Sequence, residues 1–127
     1  EDHPLNRAIA QRLLEKEGMQ VILAVNGQDA LDCFMDSGPY AIDAILMDIR
    51  MPVLNGLESA KAIRSLRRID HDVPIIAMTA NAFDSDREQS KEAGMDAHLT
   101  KPIEPEMMYS TLRRLIGNDK RRRTKAA

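Results

Sequence analysis

The sequence predicts an α/β protein in which helices cover both faces of a parallel β-sheet. Residues 44–47 and 73–78 form short runs that are apolar on both faces, which is typical of strands buried in a parallel sheet. Such runs alternate along the chain with helix-length segments whose apolar residues recur at helical spacing. With 127 residues, the chain is long enough for one domain with its own core.

The first half of the chain predicts two helices and two strands. Asp2 is a candidate N-cap and Pro4 fits the first turn of a helix, along which Leu5 and Ile9 continue an apolar stripe. The elements predicted here are, in order, a helix ending at Gly18, a strand at 20–24, a helix ending at 37–39 and a strand running from about Ile42 to Asp48.

The second half of the chain continues the same alternation. The predicted elements are a helix after Asn55-Gly56, a strand at 73–78, a helix at 82–93, a strand at 97–100 and a last helix from Pro105 to Gly117. The helix at 82–93 has Phe83 as its single large apolar residue, so we expect it to be lightly anchored.

Composition narrows the function classes. Cys33 is the single cysteine, so an internal disulfide is impossible and we expect a cytoplasmic protein. No apolar run reaches the roughly 18 residues of a membrane span. Residues 118–127 carry five of the 18 basic residues, which leaves 1–117 with a net charge of −6. We expect residues 1–117 to form the domain without contacting nucleic acid or membrane, and 118–127 to be a basic tail or linker.

Reactive side chains stand at the ends of three predicted strands. These side chains are Asp48, Thr79 and Lys101, and the carboxyl ends of parallel strands meet at one edge of a sheet. The acidic pair Glu1-Asp2 precedes a helix and is expected at the same edge. Three carboxylates cannot all be ionised at close range without a cation, and an all-oxygen site suits Mg²⁺.

This combination of groups favours phosphoryl transfer onto a carboxylate. Mg²⁺, the Lys101 ammonium and the Thr79 hydroxyl would neutralise and position a phosphoryl group beside Asp48. Asp48 is then the predicted nucleophile and would form an acyl phosphate. A Mg²⁺-dependent aspartyl-phosphate phosphatase is a second candidate class. That class needs another carboxylate two residues after the nucleophile, where this chain has Arg50.

At these residues the chain resembles the receiver domains of two-component phosphorelay signalling. The resemblance extends over residues 1 to about 117, and its motifs are Glu1-Asp2, Asp48 within residues 46–52, Asn55-Gly56, Thr79 and Lys101-Pro102. It implies a flavodoxin-like doubly wound sheet of strand order 2-1-3-4-5 flanked by five helices. A pseudo-receiver that has lost the chemistry is disfavoured, because every required residue is present.

Family roles follow from the resemblance. It implies that Mg²⁺ is bound by Glu1, Asp2, Asp48 and the backbone carbonyl of Arg50. Lys101 would pair with phosphoryl oxygens, Thr79 would hydrogen-bond the phosphate, and the Lys101-Pro102 peptide would be cis.

Three further positions match sites that adjust the family's response. His98 stands where the family keeps a switch aromatic, although a half-buried strand histidine explains it equally well. Arg50 and Asn81 occupy positions that tune phosphoryl lifetime in the family, although solvated residues at the rim of the site explain them equally well. Because the bulky Arg50 would restrict the attacking water, we expect a long-lived acyl phosphate.

The sequences of residues 74–83 and 93–103 are similar to those of receiver domains in hybrid sensor histidine kinases. This implies phosphorylation from a kinase phosphohistidine domain and transfer onward to a histidine phosphotransfer domain. The parent protein would then be a histidine kinase, with any membrane anchor lying elsewhere. A response regulator with a DNA-binding output domain is the alternative. A partner or dimer contact is expected on the face of the fourth helix, last strand and last helix.

One element of the family pattern is absent from the sequence. The family places an apolar strand directly before the acidic pair, in the middle of the sheet, and this sequence begins at Glu1. We expect either that the sequence starts late within its domain or that another chain supplies the strand.

Overall fold

The computed structural model describes residues 1, 3–80 and 84–117, with the backbone alone for 84–86. Its elements, in chain order, are α1 (Pro4–Lys16), α2 (Gly27–Asp36), β1 (Ile45–Asp48), α3 (Gly56–Arg64), β2 (Ile75–Thr79), α4 (Asp84–Glu92), β3 (Ala97–Thr100) and α5 (Pro105–Gly117). The strands form a parallel sheet of order β1-β2-β3. The predicted class, a parallel sheet with helices, is therefore confirmed.

Each face of the sheet has its own apolar core, as the predicted fold requires. On one face, Phe34 of α2 and Ile63 of α3 pack with Met47 and Ile75 of the strands. The other face is built from residues of α1, α5 and the sheet, namely Leu14, Ile76, Leu99, Met108, Tyr109 and Leu112. Every residue of β2 is buried, which explains its continuous apolar run.

The first helix differs from its prediction in two respects. Its N-cap is His3, whose Nδ1 accepts from the Asn6 N–H at 3.5 Å. The N-cap proposed from sequence, Asp2, lies outside the described residues. The apolar stripe is only partly buried, because Leu5 is 62% and Ile9 49% exposed while Leu14 carries the packing.

The strand predicted at 20–24 is absent from the sheet. These residues follow α1 and precede α2, and they form no ladder with any described strand. The physical reason is the absence of a neighbour, since a strand forms only where another strand satisfies its N–H and C=O groups. Predicted strands at 42–48 and 73–78 do form, as the shorter β1 and as β2 shifted by one residue at its end.

An arginine joins the end of α2 to the turn that follows α3. Arg68 forms a two-pronged ion pair with Asp70, with Nε 2.9 Å from Oδ1 and Nη2 3.0 Å from Oδ2. The same guanidinium donates to the carbonyl oxygens of Phe34 and Ser37 at 2.7 and 3.0 Å. It thereby supplies donors at the carboxyl end of α2, where intrahelical N–H groups run out.

No helix among the described residues is long and apolar enough to cross a membrane. The predicted basic tail, 118–127, lies outside the described part of the chain.

Candidate functional site

Three of the predicted site residues meet at the carboxyl edge of the sheet. Asp48 is the last residue of β1 and is 4% exposed, while Thr79 is the last residue of β2 and is 2% exposed. Lys101 directly follows β3, and its N–H donates to the Thr79 carbonyl at 2.7 Å. The parallel register places these strand ends side by side, as the sequence predicts.

The Lys101 ammonium connects two carboxylates. Its Nζ lies 2.6 Å from Oδ2 of Asp48 and 2.9 Å from Oε1 of Glu1. Glu1 also accepts from the His3 N–H through Oε2 at 3.1 Å, which orients the carboxylate. Glu1 therefore stands at the strand ends, where the sequence analysis expects it.

The environment gives the two carboxylates different pKa values. Burial acts to raise the pKa of Glu1, but hydrogen bonds from Lys101 and from the His3 N–H outweigh it and lower that pKa to about 2. For Asp48, burial is the largest effect and raises the pKa, and the nearby Glu1 carboxylate acts in the same direction. Hydrogen bonds to Asp48 and Glu1 raise the pKa of Lys101 despite its burial.

The donor set suits a hard cation. Glu1 and Asp48 each place a carboxylate oxygen within hydrogen-bond distance of the Lys101 ammonium, and oxygen ligands are those that Mg²⁺ prefers. Among the described residues, no group of three His, Cys, Asp or Glu side chains could hold a metal ion. Asp2, the third predicted carboxylate, lies outside those residues. The backbone carbonyl of Arg50, a further predicted ligand, belongs to the loop that leaves β1.

The other predicted positions lie around this centre. Arg50 is exposed and follows β1 after one residue. His98 is half-buried within β3, paired in register with Ala77. The Lys101–Pro102 peptide bond is cis. Asn81 lies outside the described residues.

Sequence reasoning missed the role of Gly56. Its N–H donates to the Ile49 carbonyl at 2.8 Å, and a Cβ at this position would collide with the Asp48 carbonyl oxygen. The first turn of α3 therefore packs directly against the backbone of Asp48. The Asn55-Gly56 pair indicates a turn. The requirement for glycine at position 56 comes from a contact with the Asp48 backbone, which exists only in the folded chain.

A second glycine and a serine hold the loop after β1 in place. Gly27 donates its N–H to the Leu54 carbonyl at 2.8 Å, and a Cβ on Gly27 would collide with that oxygen. The hydroxyl of Ser59, which is fully buried, donates to the Gly27 carbonyl at 2.8 Å. The loop that leaves Asp48 is thus fixed against both α2 and α3.

Comparison with known proteins identifies the family of the chain. The family model described as response regulator receiver domain matches residues 1–113. A hybrid signal transduction histidine kinase I of Dictyostelium discoideum is 41% identical over 115 residues, covering 88% of this chain. The polar-differentiation response regulator DivK of Brucella anthropi is 35% identical over 118 residues, covering 93% of each chain. The chain spans only 7% of the length of the Dictyostelium kinase.

Solved structures show the same fold. The receiver domain of sensor histidine kinase PA1611 from Pseudomonas aeruginosa, with magnesium coordinated in its active site cleft, matches with a TM-score of 0.84, 38% identity and 93% of each chain. The receiver domain of Ssk1 in its co-crystal structure with the Saccharomyces cerevisiae histidine phosphotransfer protein Ypd1 is also similar. There the TM-score is 0.79, with 30% identity and coverage of 91% of this chain and 83% of that one. On its sequence, its strand-end site and its fold, the chain belongs to the response regulator receiver domain family of phosphorelay signalling.

Proposed function

We propose that this chain accepts a phosphoryl group from a phosphohistidine onto Asp48, with Mg²⁺ as cofactor. The observation that carries the proposal is the contact of a buried Asp48 with Lys101 at 2.6 Å, beside a second carboxylate, at the carboxyl edge of the sheet. In the receiver domain of PA1611 the active site cleft coordinates magnesium, which supports the same cofactor here.

The residues of the chain have distinct tasks in this reaction. A carboxylate oxygen of Asp48 attacks phosphorus, the bond from phosphorus to the donor imidazole nitrogen breaks, and its electron pair stays on that nitrogen. The Lys101 ammonium, which lies 2.6 Å from Asp48, would follow the negative charge and donate to a phosphoryl oxygen. The Thr79 hydroxyl stands at the end of the neighbouring strand and would donate to another phosphoryl oxygen. Mg²⁺ would be held by Glu1, Asp2, Asp48 and the Arg50 carbonyl, and it supplies positive charge to the transferring group.

An apolar surface beside the site supports docking of a helical phosphodonor. Leu5 and Ile9 expose 62% and 49% of their surface on α1. The residues that line a cleft of about 440 Å³ include Ile9, Ile103, Glu1 and Lys101. A partner that delivers a phosphoryl group to Asp48 has to contact the apolar surface of α1 and this cleft. The histidine phosphotransfer protein bound to the similar Ssk1 receiver is a partner of the required kind.

The domain context has two candidates. The 41% identity to a receiver segment of a hybrid kinase favours a place inside such a kinase, with a kinase phosphohistidine domain and a histidine phosphotransfer domain as partners. A receiver with a DNA-binding output domain remains a further alternative. In each case we place the domain in the cytoplasm, with the face of α4, β3 and α5 available for a dimer contact.

Intact mass after incubation with acetyl phosphate and Mg²⁺ tests the proposal. Wild-type chain is expected to gain one phosphoryl group, while Asp48→Asn is expected to gain none. Asp36→Asn is the matched control, because Asp36 is an exposed acid at the end of α2 and should leave the adduct intact. Chelation of Mg²⁺ should abolish the gain. An adduct on Asp48→Asn, or none on wild type, would overturn the proposal.

A further inference from the structure

Two Asn-Gly pairs begin two neighbouring helices of the fold. Asn26 is the N-cap of α2 and Asn55 is the N-cap of α3, and a glycine is the first residue of each helix. An asparagine that precedes glycine is prone to deamidation, because glycine has no side chain to hinder attack by its backbone nitrogen. Both pairs are therefore candidate sites of a spontaneous covalent modification.

The modification is a ring closure followed by hydrolysis. The backbone nitrogen of the glycine loses its proton and attacks Cγ of the asparagine, the Cγ–Nδ2 bond breaks, and the side-chain nitrogen takes up the proton and leaves as ammonia. Water then opens the resulting five-membered imide at either carbonyl, which gives aspartate or isoaspartate. The glycine N–H must first leave its hydrogen bond, and the asparagine Cβ must eclipse the glycine nitrogen.

The folded chain opposes this reaction at both pairs. The Gly27 N–H donates to the Leu54 carbonyl at 2.8 Å. The Gly56 N–H donates to the Ile49 carbonyl at the same distance of 2.8 Å. Both asparagine Oδ1 atoms accept from helix N–H groups, at 2.7 and 2.9 Å, and ψ angles of 177° and 169° leave Cβ and the glycine nitrogen staggered. Deamidation therefore has to start from a locally opened state.

The two acceptor carbonyls differ in how firmly the fold holds them. Ile49 is 5% exposed, and its own N–H donates to the Met78 carbonyl at 3.0 Å, so the sheet fixes it. Leu54 instead lies in the loop after β1, next to Val53, which is 81% exposed. Val53 has a φ of 70°, and across it the Leu54 N–H donates to the Pro52 carbonyl at 2.8 Å. A β-branched residue at this φ within a three-residue turn is strained, so the Leu54 contact is the easier one to open.

We propose that Asn26 is a deamidation site gated by the contact of Gly27 with Leu54. In the folded chain it converts before Asn55. Opening of the loop after β1 releases the Gly27 N–H, whereas release of the Gly56 N–H requires α3 to leave the end of β1. Isoaspartate adds one carbon to the main chain at position 26, so the contact with Leu54 cannot re-form in its present geometry. The inference rests on these backbone contacts and is independent of phosphoryl transfer.

Peptide mapping by mass spectrometry tests the order of conversion. The chain of residues 1–127 is kept in mildly alkaline buffer, either folded or unfolded in guanidinium chloride, and the asparagine, aspartate and isoaspartate forms are followed over time. In the unfolded chain Asn26 and Asn55 are expected to convert at similar rates, because each precedes glycine. In the folded chain both should be slower, with Asn26 about tenfold faster than Asn55. Equal rates in the folded chain, a faster Asn55, or no protection of Asn26 by folding would overturn the proposal.

A matched pair of serine variants tests the gate. Ser59 is fully buried and its hydroxyl donates to the Gly27 carbonyl at 2.8 Å, whereas the exposed Ser65 donates to a carbonyl of α3 at 2.9 Å. Ser59→Ala is expected to raise the rate at Asn26 severalfold, and Ser65→Ala should leave it unchanged. The ratio of the Asn26 rate to the Asn55 rate separates the gate from a general loss of stability, which would raise both rates together. An unchanged ratio in Ser59→Ala would contradict the assigned gate.

Discussion

Lys101 and Asp48 form the shortest ion pair of the candidate site, with Nζ 2.6 Å from Oδ2. The same ammonium neutralises Glu1 at 2.9 Å, so one positive charge separates two carboxylates. Both acidic side chains are largely buried, at 5% and 9% exposed. Charge balance at the strand ends therefore depends on Lys101 whenever no metal ion is bound.

Lys101→Met is expected to lower the free energy of unfolding by about 2 kcal/mol in metal-free buffer, because two buried carboxylates lose their charged hydrogen-bond donor. Added Mg²⁺ should recover more stability in the variant than in wild type, since the cation replaces the lost charge. Urea denaturation with and without Mg²⁺ measures both effects. Lys61→Met, on the exposed face of α3, provides the control. Equal responses to Mg²⁺ in Lys101→Met and wild type would contradict this account.

Asp48→Asn is expected to raise the free energy of unfolding in metal-free buffer at pH 7. Burial and the Glu1 carboxylate raise the pKa of Asp48, which means that its ionised form is disfavoured in the folded state. A neutral amide of the same shape removes that cost. Thermal unfolding measures the change, and a lower Tm for Asp48→Asn would show that the Lys101 pair outweighs burial.

Asp70→Asn is expected to lower the free energy of unfolding, in contrast to Asp48→Asn. Burial acts to raise the pKa of Asp70, but the Tyr40 N–H and Arg68 outweigh it and hold that pKa below its usual 3.8. Breaking this buried pair is expected to cost about 3 kcal/mol at pH 7.

The lowered pKa of Asp70 makes the stability of the protein depend on pH. A carboxyl group whose pKa is lowered by folding stabilises the protein fully above its unfolded pKa of 3.8. That contribution is lost as the pH falls from there through the folded pKa. Urea denaturation from pH 7 to pH 3 should give a constant difference between wild type and Asp70→Asn above about pH 5, and a shrinking one below about pH 4. A difference that grows toward low pH would contradict the assigned direction.

Gly56→Ala is expected to destabilise the chain by several kcal/mol and to slow phosphoryl acceptance. The added Cβ would collide with the Asp48 carbonyl oxygen, so either α3 or the acceptor backbone has to shift. Gly38→Ala is the matched control, because nothing lies within 4 Å of a Cβ there and no unusual φ is required. Urea denaturation and adduct formation with acetyl phosphate would measure the two effects. Similar behaviour of the two variants would refute the close approach.

Arg50→Ala is expected to shorten the lifetime of the acyl phosphate. Arg50 is exposed and lies two residues after the acceptor, where its side chain can restrict the approach of water. The decay of the phosphoryl adduct, followed by intact mass, measures the lifetime. Arg67→Ala, an exposed arginine after α3, is the control. A wild-type half-life of seconds, or an unchanged one in the variant, would remove Arg50 from this role.

Much of the fold follows from local pattern. The two-faced apolar runs that end at Asp48 and Thr79 predict buried parallel strands, and both strands form where expected. The convergence of Asp48, Thr79 and Lys101 follows from strand direction alone.

The rest depends on partners that are distant in sequence. Residues 20–24 have the composition of a strand, yet strand formation requires a neighbour that the described chain does not provide. Exposure of Leu5 could not be read from helical spacing, because spacing identifies a stripe without showing what covers it. Likewise, the need for Gly56 arises from a contact with the backbone of another element.

The Arg68 guanidinium also determines which regions of the chain unfold together. It holds Phe34 O, Ser37 O and the Asp70 carboxylate at once, across more than 30 residues of sequence. The end of α2 and the turn after α3 cannot separate without breaking the bonds from Arg68 to Phe34 O and Ser37 O. The two regions therefore belong to one cooperative unfolding unit.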